Sequence, residues 1–135
     1  MRILIVDGQG GGVGRQLAAQ IKQAFPDLQL MAVGTNTIAT SAMMKGGADT
    51  AATGENAVLV GARKADVIIG PLGIVVADSL GGEISPAMAN AVAQSDAKRI
   101  LLPFKNCDNV IVGVSDYTLG NLIREAIEEL RKILA

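Results

Sequence analysis

The chain has 135 residues, of which 50% are hydrophobic and 19% charged, and its net charge is −1. That balance predicts one folded domain over residues 1–135, large enough to bury a real core, and excludes disorder. It also lacks the basic footprint of nucleic-acid or anionic-membrane binding, and Phe25, Phe104 and Tyr117 are too few for a base-stacking surface.

Cysteine usage narrows the chemistry further. Cys107 is the only cysteine and there is no histidine, so no disulfide framework, zinc site or Cys–His pair can be built within the chain. In its polar loop Cys107 reads as incidental rather than reactive. The leading apolar run is shorter than a signal-peptide core, and no stretch is long enough to span a bilayer. A cytoplasmic location is expected.

Ile3 to Val6 is a short apolar run closed by Asp7-Gly8, the pattern of a buried parallel strand. Val13, Leu17, Ile21 and Phe25 then recur every four residues on one helical face, ended by Pro26-Asp27. Leu28 to Val33 predicts a second strand and completes a βαβ unit. Asn36 or Thr37 can cap a helix through Met44, stopped by Gly46-Gly47. After a polar, alanine-rich connection, Thr53 can cap another helix that carries Glu55 and Asn56 in its first turn and runs to about Lys64.

Val67 to Gly70 predicts a third strand, and Pro71 to Leu80 an apolar helix followed by Gly81-Gly82. Leu72, Ile74, Val75, Val76, Ala77 and Leu80 would cover that helix on all sides, so either the domain buries it fully or a second subunit covers it, and a homo-oligomer is the expectation. Asp78 would then be a partnered buried acid or a functional one. Ser85-Pro86 opens a helix toward Gln94. Ile100 to Leu102 is the fourth strand and Val110 to Val114 the fifth, joined by too few residues for a parallel crossover. A final amphipathic helix carries Leu119, Leu122, Ile123, Ala126, Ile127 and Leu130 on its apolar stripe.

Alternating strands and helices predict a three-layer Rossmann-like α/β sandwich with a mostly parallel five-stranded sheet. The expected order is 2-1-3-4-5, with the fifth strand an antiparallel edge. A topological switch point then falls between the first and third strands, where Gly8 to Gly14 and Gly70-Pro71-Leu72 meet.

The loop Asp7-Gly-Gln-Gly-Gly-Gly-Val-Gly14 between strand and helix is the strongest functional signal. Glycines bring backbone N–H groups close to a phosphate, and the helix N-terminus adds partial positive charge. The spacing of Gly8, Gly12 and Gly14, followed by Arg15, resembles the cofactor loop of short-chain dehydrogenases/reductases, which would imply NAD(P). Those enzymes need Tyr-x-x-x-Lys, and here Asn121 stands four residues after Tyr117. The catalytic half is missing.

A Walker P-loop fails at Gln9, Arg15 and Gln16. The start of the chain also resembles a response-regulator receiver, with Lys105 near its strand-end lysine, but Gly70-Pro71 stands where the phosphoacceptor aspartate belongs. From end to end the sequence resembles a family of short bacterial proteins described as a domain of unknown function. The likeness runs through Asp7 to Gly14, Gly34-Thr-Asn36, Ala39-Thr-Ser-Ala-Met43, Thr53-Gly-Glu-Asn56, Ile69-Gly-Pro71 and Ile100-Leu-Leu-Pro103. It implies a Rossmann-like fold and supplies no activity.

Three functions are compatible with these residues. The first is binding of a nucleotide, dinucleotide or other small phosphate-bearing ligand. Gly8, Gln9, Gly10, Gly11, Gly12, Val13 and Gly14 would cradle phosphate with help from Arg15. Thr35 and Asn36 would flank the ribose, and Gly70-Pro71 would form the far wall. The second is a small enzyme on a phosphorylated or CoA-like ligand, with Asp7 or Glu55 as acid/base. The third is a structural or interaction subunit whose glycines merely permit a tight turn. Asp7 cuts against the first, since a strand-end carboxylate repels a pyrophosphate. The strand before Thr35 also lacks the acid that NAD sites use for the ribose 2′-hydroxyl.

Overall fold

A computed structural model describes residues 1–104 and 109–135, so Lys105 and Cys107 lie outside the described residues. Five strands form one parallel sheet: β1 (Ile3–Asp7), β2 (Leu30–Gly34), β3 (Thr50–Thr53), β4 (Val67–Pro71) and β5 (Lys98–Leu102). Their order is β3-β2-β1-β4-β5. Side chains alternate between the faces, as a strand period of two requires. Ile3 and Ile5 join one core cluster, and Leu4 and Val6 the other.

Helices α1 (Gly12–Ala24), α2 (Thr37–Gly46) and α5 (Leu119–Leu134) cover the first face, with Leu17, Met43 and Leu130 fully buried against it. Helices α3 (Glu55–Lys64) and α4 (Pro86–Gln94) cover the second through Val58, Met88 and Val92. Asn36 caps α2 by accepting the Ala39 amide at 2.9 Å, and Ser85 caps α4 by accepting the Met88 amide at 3.2 Å. No helix among the described residues is long and apolar enough to cross a membrane.

Three expectations about strands and caps are corrected. First, Thr50–Thr53 is an edge strand and not merely the polar connection its composition predicts. It is a short Thr-Ala-Ala-Thr segment, half-exposed, with no apolar run to announce it. This moves the order from 2-1-3-4-5 to 3-2-1-4-5. Second, Val110 to Val114 forms no strand. Val110 and Val112 are 89% and 94% exposed, Gly113 turns the chain at φ 91°, and the sheet ends at β5, which runs parallel to β4. Third, Gly54 rather than Thr53 caps α3.

The largest departure is at Pro71 to Leu80, which is not a helix. Leu72–Val75 makes one 3₁₀ turn and Leu80–Gly82 another. The chain between them crosses the top of the sheet as a strap. Ile74 and Ile84 anchor it in the second core cluster. Ile74 is buried, Leu72, Val75, Val76 and Leu80 are half-buried and Ala77 is exposed, so the segment does not present the helix with an all-round apolar surface that the composition predicts. Asp78 is exposed, not buried, and sits at φ 66°.

Candidate functional site

The register places Asp7 opposite Gly34, and Gly34 opposite Thr53, so three strands end level at the carboxyl edge of the sheet. Strand order reverses between β1 and β4. The α2 crossover covers one face and α3 the other, and ligands of open α/β sheets bind in the crevice at such a point. A cleft of about 720 Å³ opens there between the loop Asp7 to Val13 and the strap Val76 to Gly81, with Leu119 at its end. Pockets that bury small ligands span about 300–1,000 Å³.

Within the loop the backbone is tightly determined. Gly11 sits at φ 73°, and a Cβ there would stand 2.7 Å from the Ala39 Cα, so only glycine fits. Gly14 is buried, and a Cβ on it would lie 2.7 Å from Met43 Cγ, which lets α1 pack closely on α2. Gly10 and Gly12 are exposed, with nothing within 4 Å of where a Cβ would be. Their openness is what a turn alone does not need.

Asp7 is the one buried charged side chain among the described residues, 4% exposed. Oδ1 accepts the Gly8 amide at 2.8 Å and Oδ2 the Gly14 amide at 2.7 Å. It thus caps α1 from the preceding strand, a role the cap residue Gly11 has no side chain to play. Burial pushes the Asp7 carboxyl above its ordinary range, against the pull of the Gly14 and Gly8 amides, and the charge on Glu83 adds to the push.

The remaining loop donors divide between two uses. The Gly11 amide bonds Gly8 O, and the Gln9 amide bonds Glu83 Oε1 at 2.9 Å. The amides of Gly10, Gly12 and Val13 take no partner among the described residues. Two of these open the first turn of a thirteen-residue helix, where unpaired donors and the helix dipole both favour an anion. Arg15 is exposed, one turn along, with no ion pair among the described residues.

Glu83, which sequence reasoning did not single out, stands beside the cleft rather than lining it and ties the strap to the loops after β1 and β2. Its Oε1 also accepts the Thr35 hydroxyl at 2.6 Å and the Asn36 amide at 2.8 Å. The Thr35 hydroxyl, the Gln9 amide and the Asn36 amide hold its carboxyl below the usual range. No local pattern marks it, because its partners lie 47 to 74 residues away. Three non-glycine residues with positive φ gather here: Gln9 at 51°, Asp78 at 66° and Leu80 at 56°. Such conformations cost about 1–3 kcal/mol each, less for a short polar side chain, and persist only where the surroundings enforce them.

The structure therefore brings Gly8 to Val13 and Pro71 together around one cleft. Gly14 is buried behind it, and Thr35 and Asn36 stand beside it, already bonded to Glu83. Gly70 lies inside the sheet, where a Cβ would strike the Val6 carbonyl oxygen, so it approaches β1 rather than a ligand. Pro71 starts no long helix, only the 3₁₀ turn Leu72–Val75. Glu55 faces elsewhere: it accepts the Ser85 hydroxyl at 2.5 Å and ties the start of α3 to that of α4. Thr53 pairs with the Thr40 hydroxyl at 2.7 Å, and neither Thr53, Glu55 nor Asn56 lines the switch-point cleft.

A parallel sheet with helices on both faces, and a glycine-rich strand-to-helix loop at the switch point, define a Rossmann-like α/β protein. A family model described as Domain of unknown function (DUF3842) matches residues 2–135, and the chain belongs to that family. Comparison with curated proteins and with solved structures gives no match.

Proposed function

We propose that this chain binds a nucleotide or dinucleotide at the switch-point cleft, with the phosphate on the backbone amides of Gly10, Gly12 and Val13. The observation that carries this reading is that those three donors have no partner among the described residues, while their neighbours Gly8, Gln9, Gly11 and Gly14 are all satisfied. Open space above Gly10 and Gly12 supports it, as does a cleft of about 720 Å³ beside them. The reading narrows the set of phosphate donors from the whole loop to three amides. Arg15 contributes charge from the next turn.

The bonds of Asp7 favour one rival. Both carboxylate oxygens accept from the loop's own amides, which suits a loop whose glycines serve architecture alone. The same bonds count against Asp7 as a general acid or base, since neither oxygen faces a substrate unengaged.

A thermal-shift panel of NAD, NADP, FAD, ATP, GTP, coenzyme A and S-adenosylmethionine separates these readings. A ligand at about a hundred times its Kd adds roughly 2.7 kcal/mol and raises Tm by several degrees. Gly12→Val fills the open space over the helix N-terminus without meeting any neighbour within 4 Å, so it should fold and fail to bind. Stabilisation of the wild type but not of Gly12→Val supports the proposal. No shift with any compound refutes it and leaves the architectural loop.

A further inference from the structure

Dinucleotide sites of this fold hold the ribose diol with an acid near the end of the second strand. Here β2 ends in Gly34 and is followed by Thr35 and Asn36, none of which is acidic. The acid standing at that place in space arrives from the strap. Glu83 lies 48 residues beyond Thr35, and its Oε1 is fixed by the Thr35 hydroxyl, the Asn36 amide and the Gln9 amide. Three donors on one carboxylate oxygen exhaust its lone pairs. The other oxygen, Oε2, accepts no hydrogen bond from the described residues, and the side chain is only half-buried.

We propose that Glu83 is the specificity-determining residue of the site, its Oε2 accepting the hydroxyl hydrogens of a ribose whose 2′-oxygen carries no phosphate. The inference rests on the nucleotide reading above and names the ligand class within it: NAD-like or a simple ribonucleotide, not NADP-like. The placement is consistent along the loop. Gln9 bonds Glu83, and the next residue, Gly10, offers the first unpartnered amide, so ribose and phosphate subsites adjoin as they do in a nucleotide. An ionised carboxylate only accepts hydrogen bonds, so a hydroxyl complements it and a phosphate does not.

Calorimetric titration of the full chain with NAD, NADP, ADP and 2′-deoxy-ADP tests this. The expected result is NAD tighter than NADP, and ADP tighter than 2′-deoxy-ADP, each by about tenfold or more, the worth of a hydrogen bond to a charged group. Glu83→Gln keeps an oxygen for the three fixing donors and removes the charge. Both ratios should then fall below about threefold, the first chiefly through tighter NADP and the second through weaker ADP. Nucleotide binding with both wild-type ratios near one overturns the role of Glu83 and leaves the nucleotide reading standing. So do ratios that persist unchanged in a folded Glu83→Gln. Failure of all four compounds to bind the wild type sinks the nucleotide reading itself. The wild-type ratios need no substitution, so a misfolded variant does not shelter the idea.

Discussion

The connections after β1 and after β4 start alike and end differently. Each leaves a buried parallel strand at the switch point, through Gly8 in one case and Gly70-Pro71 in the other. The first turns within Gly8 to Gly11 directly into α1, and its geometry is local: Asp7, the residue before the turn, caps the helix the turn leads to. The second runs from Leu72 to Ser85 before α4 begins, and its geometry is borrowed. Ile74 and Ile84 pin it to the core, while Glu83 pins it to the β1 and β2 loops. A site made of both has one wall specified by near neighbours in sequence and another specified by residues tens of positions away.

The sharpest break of this comparison is at the strand ends themselves. Gly70→Val drives a side chain into the Val6 carbonyl oxygen between two central strands and should cost about 3 kcal/mol or more, seen as loss of soluble protein or a large fall in urea midpoint. A near-neutral Gly70→Val would mean that β1 and β4 do not approach as described.

Next comes the local cap. Asp7→Ala leaves the Gly8 and Gly14 amides without their acceptor in a buried setting and should cost about 2–3 kcal/mol by chemical denaturation. The strap anchor is weaker because it is partly exposed. Glu83→Ala should cost about 1 kcal/mol and raise amide exchange between Val76 and Ile84 with little change in α1. Equal loosening of both regions would erase the distinction between a local and a borrowed wall.

Acid separates the two carboxylates by sign. A raised pKa means the folded state binds the Asp7 proton more tightly than the unfolded chain, so stability from this group rises as pH falls from the raised value toward the ordinary 3.8. Glu83 runs the other way. Its contribution is present above the ordinary 4.5 and is lost as pH falls through its lowered pKa. Urea midpoints between pH 7 and pH 4 should therefore move in favour of the wild type relative to Asp7→Asn as the solution is acidified. A difference that stays flat or reverses contradicts the burial of Asp7.

The smallest effect tests strain in the strap. Asp78 is exposed at φ 66°, and its side chain makes no hydrogen bond among the described residues. Asp78→Gly should stabilise by about 0.5 kcal/mol, read as a rise of a few degrees at most in Tm. A fall of similar size would show that the aspartate side chain holds the turn.

Much of this was legible beforehand because it obeys short-range rules. The apolar run Ile3 to Val6, the four-residue spacing of Leu17 and Ile21, and the caps Asn36 and Ser85 all appear where their patterns place them. The glycine loop and the switch point follow, since a strand, a turn and an amphipathic helix are specified in one continuous stretch. Thr50 to Thr53 was not legible, because an edge strand of small residues needs no apolar run and is held by pairing to β2. Val110 to Val114 misled for the converse reason: β-branched residues satisfy strand propensity, but these pair with no strand of the described sheet.

By itself, then, the amino-acid sequence determined the layered α/β class and the glycine loop at the carboxyl end of the first strand, because periodicity, capping and turn chemistry act over a few residues. Only the tertiary structure decided what surrounds that loop. Pro71 to Leu80 has the composition of a helix, yet core burial of Ile74 and Ile84 and the left-handed turns at Asp78, Leu80 and Gly81 make it a strap. That strap delivers Glu83 to Thr35 and Asn36, a meeting set by the folded arrangement of three chain segments and encoded in none of them alone.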